Sequence, residues 1–233
     1  YEFRLSLVGS EMCIRDSDYT MLLFVPGEKP LDLFDPERRA KLKLYVRRVF
    51  ISDDVADLVP PWLRFLRGVV DSADLPLNVS REMLQNNPVV ARIRQAIQRR
   101  VLSELEKKAA AAPEEYAKFW ANFGAVLKEG IYEESEHRVK LMKLARFHST
   151  HGDGVVSFAD YIGRMKEGQT AIYTINGDNL DALRKSPQLE GFRAKGVEVL
   201  LLTDAVDGFW QGVVPEYEGK TFSSATRGGA DLG

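Results

Sequence analysis

The chain has 233 residues, 45% of them hydrophobic and 28% charged, a formal net charge of −2 and a single cysteine. That length suits one large domain or two modest ones, each with its own core, and the near-neutral balance offers no field to draw in nucleic acid or an anionic membrane. The lone Cys13 excludes an internal disulfide framework and fits a reducing cytosol, and no apolar run approaches the roughly 20 residues a membrane helix needs.

Tyr1 to Ser17 show neither a charged region followed by a sustained apolar core nor clear periodicity, so they read as a leader foreign to the fold rather than a signal peptide. Tyr19 to Val25 is a short apolar run stopped by Pro26-Gly27, which predicts a buried strand and a turn. Lys41 to Ile51 alternates polar and apolar residues and ends in Val49-Phe50-Ile51, which predicts one strand. Ser52 is placed to cap a short helix over Asp53 to Leu58, and Pro60-Pro61 ends it. A turn through Trp62 and Phe65 follows, then a strand from Arg67 to Val70.

The segment Asp71-Ser72-Ala73-Asp74-Leu75-Pro76-Leu77-Asn78-Val79-Ser80-Arg81-Glu82-Met83-Leu84-Gln85 organises the first half of the chain. Pro76 fixes its own φ and keeps Leu75 out of the helical region, so the first part is a tight, extended loop. Ser80 can cap a helix over Arg81 to Asn86, on which Arg81 and Gln85 project from one face. A guanidinium and a carboxamide at the mouth of a loop can touch a phosphate, although a mixed polar face is also what most surface helices carry.

Asn87-Pro88 predicts the start of a long amphipathic helix, with Val90, Ile93, Ile97, Val101, Leu102 and Leu105 on its apolar side. Its arginines lack the aromatic interleaving of a nucleic-acid surface. Pro113 restarts a helix with Glu114 and Glu115 in its first turn, and Tyr116, Phe119, Trp120, Phe123 and Leu127 form an aromatic stripe that reads as core. Gly130 is expected to end that helix, and another to run from Glu136 to Phe147.

The polar stretch from His148 to Gly154 reads as a loop. Its two histidines invite zinc, but no third ligand is near and no helix holds them. Ser157-Phe158-Ala159-Asp160 is a capping box. A strand from Thr170 to Ile175, a helix from Asn179 to Lys185 and a short helical link from Pro187 to Ala194 lead to Val197–Leu202, an apolar run of the kind buried on both faces. That order predicts a parallel pair of strands. Thr221 to Gly233 reads as a Gly/Ser-rich tail. Neither a dinucleotide nor a P-loop glycine pattern occurs, and no nucleophile elbow is present.

The loop-plus-helix segment closely resembles the signature of the middle domain of the heat-shock ninety-kilodalton ATP-dependent chaperone family. Three further stretches resemble that domain in matching order: Leu42 to Ile51, Leu141 to Phe147 and Glu198 to Asp204. The likeness runs from about Tyr19 to Phe222, leaving residues 1–17 unmatched. It implies an α/β fold made of a large α/β/α subdomain (18–110), a helical coil connector (111–147), a smaller α/β/α subdomain (148–222) and a tail at a domain boundary (223–233).

What the resemblance implies for function is a bacterial, cytoplasmic chaperone segment that is no enzyme by itself. ATP and Mg would bind a separate N-terminal domain, with none held by this segment. Arg81 would be offered to the γ-phosphate, with Gln85 as its companion, an arginine-finger arrangement. Arg47, Asn78 and Glu82 would support the loop, Arg47 equally being readable as a strand residue facing solvent. The implied partners are the N-terminal ATP-binding and C-terminal dimerisation domains of the same chain and client proteins, with no nucleic acid and no membrane. Trp62, Phe65 and Phe209-Trp210 are candidates for client surface. The alternatives are a non-catalytic interaction scaffold and a stand-alone α/β enzyme acting on a small molecule.

Overall fold

The computed structural model describes residues 19–35, 38, 40–53, 55, 58–77, 81–84 and 87–226, the side chains of Arg81 and Glu82 excepted. The leader at 1–17 lies outside the described residues. The chain divides between Val126 and Leu127 into two compact units. Among the described residues the strands form two sheets, of four and six strands.

In the first unit β1 (Tyr19–Phe24), β2 (Lys41–Val46), β3 (Val49–Ser52) and β4 (Arg67–Ser72) lie in the order β1-β4-β2-β3. β4 runs antiparallel to β1 and parallel to β2, and β3 folds back antiparallel on β2. Leu42, Leu44 and Val46 turn inward while Lys41 and Lys43 face out, so the alternation sets the face as expected. β1 is only partly buried along its length. Gly68, at φ 147°, has no room for a side chain, because a Cβ there would stand 2.1 Å from the Leu22 carbonyl oxygen of β1.

The run from Lys41 to Ile51 is two strands, not one. Arg47 and Arg48 sit at φ 51° and 67° and reverse the chain between paired Val46 and Val49. Two positive φ values in a two-residue loop match the strand twist, and Asn-Gly normally supplies them. Arg-Arg hid the turn. Ser52 ends β3 instead of capping a helix, and the described residues of the next stretch, Asp53, Val55 and Leu58, are not helical.

The core of this unit gathers behind the sheet. α1 (Arg81–Leu84) is short. α2 (Pro88–Ala111) starts with the Asn87 Oδ1 accepting from the Val89 N–H at 2.8 Å and buries all six residues of its expected apolar side. α3 (Pro113–Glu133) buries Tyr116, Phe119, Trp120 and Phe123, and the Phe65 ring lies 5.8 and 5.0 Å from those of Phe119 and Phe123. Trp62 and Phe65 are therefore core and not client surface. Gly130 does not stop α3, since buried Ile131 carries the helix three residues further.

The second unit contains α4 (Arg138–Leu144), β5 (Phe147–Ser149), β6 (Gly152–Val156), α5 (Phe158–Gly163), β7 (Ala171–Asn176), α6 (Leu180–Arg184), α7 (Glu190–Ala194), β8 (Leu200–Leu202), α8 (Asp207–Val213), β9 (Glu216–Tyr217) and β10 (Lys220–Ser224). The order is β6-β5-β8-β7-β10-β9. β7 pairs parallel with β8, as the strand–helix–strand order predicts, and with β10. Three expectations fail here. The helix ends at Leu144, and Phe147 opens β5, its ring 4.8 Å from Phe158. The polar stretch after it forms the β5–β6 hairpin. Thr221 to Ser224 belong to an internal strand, although only Phe222 gives them an apolar signal.

One face of this sheet packs Tyr173, Ile175, Val199 and Leu201 with Leu183, Leu189 and Phe192 of the α6–α7 region. On the other, Phe147, Phe158, Trp210, Tyr217 and Phe222 form a chain of ring contacts at 4.8 to 6.1 Å. Trp210 is fully buried, so it too is core. α5 carries the expected capping box, with the Ser157 N–H donating to Asp160 Oδ2 at 2.9 Å and the Asp160 N–H to Ser157 Oγ at 3.1 Å.

Two polar groups hold this second core together. Lys128, 3% exposed, reaches Asp207 Oδ1 at 2.6 Å and Asp204 Oδ2 at 2.7 Å, while Asp207, fully buried, also accepts from the Trp210 indole N–H at 2.8 Å. The Tyr161 hydroxyl donates to the Glu198 carbonyl at 2.7 Å and accepts from the Tyr173 N–H at 2.9 Å and Gln169 at 3.1 Å. Burial, against the pull of those two donors, pushes its pKa up to about 12.

Three outcomes follow from this packing. Lys128→Ala strands a buried carboxylate and destabilises the second unit by about 3–5 kcal/mol in urea unfolding. Tyr161→Phe leaves a buried N–H and carbonyl unpaired, at about 1–3 kcal/mol. Because the folded pKa of Tyr161 lies above the unfolded value of about 10, its contribution is intact below about pH 10 and is lost as pH rises towards about 12. Tyr217, also raised to about 12 by burial, adds to that loss, so Tyr161→Phe flattens the alkaline fall in stability without abolishing it. At the hairpin, left-handed residues cost about 1–2 kcal/mol and glycine loses about 0.5–1 kcal/mol in entropy. Arg48→Gly should therefore stabilise the fold by about 0.5–1 kcal/mol in the same assay.

Candidate functional site

The site is built where the β2–β3 turn meets the start of the loop after β4. β2 and β4 are parallel neighbours in register, with Tyr45 opposite Asp71 and Val46 opposite Ser72. As β2 runs out into its turn, β4 runs out into the loop, so the two chain segments leave the sheet side by side.

Three N–H donors then join them at successive positions. The Arg48 N–H donates to both carboxylate oxygens of Asp71, each at 3.1 Å. The Arg47 N–H donates to the Ser72 carbonyl at 3.2 Å, extending the ladder by one rung. The Arg47 Nε donates to the Ala73 carbonyl at 3.3 Å. Both arginines are exposed, and Asp71 is the residue that meets the turn with an acceptor side chain.

Beyond Ala73 the loop is held from inside. Ser72 is 1% exposed, and its Oγ accepts from the Asp74 N–H at 3.3 Å, a local turn that competes with further strand. Leu75 is buried at 1% and pins the loop to the core, while Leu77 is half exposed. After α1, the Asn87 N–H donates to the Leu84 carbonyl at 3.3 Å, and buried Leu84 fixes the helix inward. The loop is thus tied at both ends by backbone bonds and apolar contacts.

Of the residues expected to carry function, Arg47 is found against this loop, at the tip of the β2–β3 turn and not within a strand. Arg81 and Glu82 are the first two residues of α1, and their side chains lie outside the described residues, as Asn78 and Gln85 do entirely. Asp71, read from sequence only as the start of the extended loop, lies in β4. A pair of arginines between two strand-like runs, with no glycine or asparagine, could have signalled a turn held from outside, but nothing in the sequence points from it to Asp71, 23 residues away. His148 lies in β5 and the His151 N–H donates to Ser149 Oγ at 3.1 Å. Among the described residues no group of three or more His, Cys, Asp and Glu is placed to hold a metal ion, and no helix is long and apolar enough to cross a membrane.

A family model described as Hsp90 protein matches residues 15–233. A chaperone protein HtpG of Paramagnetospirillum magneticum is 62% identical over 92% of this chain and 34% of its own length. One of Rhizobium etli is 59% identical over 92% of this chain and 34% of its own. One of Roseobacter denitrificans is 58% identical over 92% and 35%. The chain thus spans about a third of the length of the curated relatives it matches. Among solved structures, the middle domain of a Plasmodium falciparum heat shock protein superposes with a TM-score of 0.76 at 31% identity, over 91% of this chain and 84% of that one. The chain belongs to the Hsp90 family, and the part of that family it corresponds to is the middle domain.

Proposed function

We propose that this chain is the middle segment of an ATP-dependent chaperone and that it completes ATP turnover by presenting Arg81 to the γ-phosphate of a nucleotide held in a separate N-terminal domain. The observation that carries this reading is the Arg47 bond to the Ala73 carbonyl, which ties a surface arginine to the loop whose helix begins with Arg81. A planar cation on a braced loop meets the developing phosphoryl charge at no cost in rearrangement. Bound ATP and Mg would supply the reacting phosphoryl group and its counter-charge. This chain's part is to orient: Arg81 by charge, Gln85 by hydrogen bonding, Arg47, Asn78 and Glu82 by fixing the loop.

The three-part division at 18–110, 111–147 and 148–222 belongs to the same proposal, as do cytoplasmic residence and the same-chain N- and C-terminal domains as partners. Client binding rests on a different observation. Phe209 on α8 is 63% exposed and meets the half-exposed Tyr132 ring edge-on at 6.1 Å, with Val213 one turn further along. Large exposed apolar rings of this kind are what a protein that holds unfolded chains requires.

Arg81→Ala in the full-length protein should lower the ATP turnover number by about a hundredfold or more, while thermal unfolding and ATP affinity stay as they are. Turnover unchanged by Arg81→Ala would overturn the catalytic reading and favour a non-catalytic scaffold. A second readout is the ATPase rate on adding this chain to a separate ATP-binding domain, which should rise with Arg81 present and not without it.

A further inference from the structure

We propose that Asp71 is a positioning residue for ATP turnover, acting through the Arg47-Arg48 turn. The inference rests on the reading above, that Arg47 braces the loop leading to Arg81, and extends it to a residue whose carboxylate is engaged with the turn. Residues 71, 72 and 73 accept, in turn, from the Arg48 N–H, the Arg47 N–H and the Arg47 Nε. These contacts close like a zip from the sheet outward, and Asp71 is the first of them and the one made by an acceptor side chain. Both its oxygens stand at 3.1 Å from a single N–H, a charge-assisted bond at the foot of a turn.

The turn needs that bond. Both its residues are held at positive φ with full side chains, a conformation that persists only where the surroundings over-determine it. Asn-Gly would fold the same hairpin without strain. Arginine at the first position makes sense if its side chain has a task, and its task here is the bond to the Ala73 carbonyl. Strain in the turn and the course of the loop are therefore coupled through one carboxylate. When the Arg48 amide is released, the turn relaxes, the Arg47 guanidinium leaves Ala73, and the loop loses its outermost tie.

The test uses the full-length protein with Asp71→Ala, Asp71→Asn, Arg47→Ala and the Asp71→Ala/Arg47→Ala double variant, with Arg81→Ala as reference. Turnover number and KM for ATP are read for each, together with amide exchange at Arg48. Asp71→Ala should lower the turnover number about tenfold with KM unmoved, as misplacing a reacting group does. Asp71→Asn, which keeps an acceptor oxygen, should stay within about twofold of the parent, and Arg47→Ala should add nothing to Asp71→Ala. A fast-exchanging Arg48 amide accompanies the loss. Losses that add in the double variant, a change in KM alone, or an Arg48 amide that loosens while turnover holds would each overturn the proposal. If Asp71→Ala does not fold, Asp71→Val, which suits a strand and has no acceptor, takes its place: a lower turnover number with faster Arg48 exchange supports the proposal, and faster exchange with turnover unchanged defeats it. Failure of the underlying reading looks different, because Arg81→Ala would then leave turnover intact.

Discussion

The first unit depends on a backbone conformation that side chains disfavour. Arg47 and Arg48 stand in the left-handed region at the end of a hairpin, and each costs more there than a glycine would. What makes the conformation sustainable is its neighbour. β4 runs parallel to β2, so Asp71, Ser72 and Ala73 emerge beside the turn with a carboxylate and two carbonyls facing its three N–H donors. A parallel neighbour is therefore essential: an antiparallel partner would carry the chain away from the turn, and the loop would start elsewhere. Sheet topology, turn strain and the path towards Arg81 form a single arrangement.

The second unit solves a different problem with a buried charge. Lys128 comes from a long helix and Asp207 from the first residue of α8, and they meet where Phe147 and Trp210 exclude water. A buried pair of this kind is a weak source of net stability, because desolvation offsets much of the attraction. Its value is geometric. Asp207 accepts from Lys128, the Trp210 indole and the Asp204 N–H at once, so α8 has one rotation about its axis that satisfies the carboxylate. That rotation leaves Phe209 and Val213 outward and Trp210 inward. The exposed rings are thus a consequence of an interior polar contact.

How much of this was legible in the sequence divides along the range of the interactions. The α2 apolar face, the Asn87 cap, the Ser157–Asp160 capping box and the parallel pairing of β7 with β8 are set by residues a few positions apart, or by a run such as Leu200–Leu202 with no polar face, and all were readable. The Arg47-Arg48 turn was not, because its positive φ values fall on two arginines and not on the residues that favour them, and the bonds that accompany them come from residues 71–73 across the sheet. β10 was not, because Lys-Thr-Phe-Ser-Ser gains its place from pairing with β7 and β9 and from the Phe222 ring against Phe158 and Trp210, all distant in sequence or too short to signal. Phe147 continues the helical period of α4 yet joins β5, since ring packing on Phe158 and Trp210 outweighs propensity. At the site, Pro76 and the buried Leu75 made the loop readable, the role of Arg47 came through family resemblance, and the clamp beneath it came only with the fold.

The position of β10 has a consequence for how such a chain is born. In the six-stranded sheet it lies between β7 and β9, and the Ala225 N–H just beyond it reaches the Thr174 carbonyl at 2.8 Å. On a ribosome, β7 emerges some fifty residues before the strand that covers its flank, leaving a row of unsatisfied amides and carbonyls during synthesis. A polar closing strand suits that moment, since it can wait in water without collapsing on itself, and its late arrival makes completion of this sheet the last event in forming the second unit.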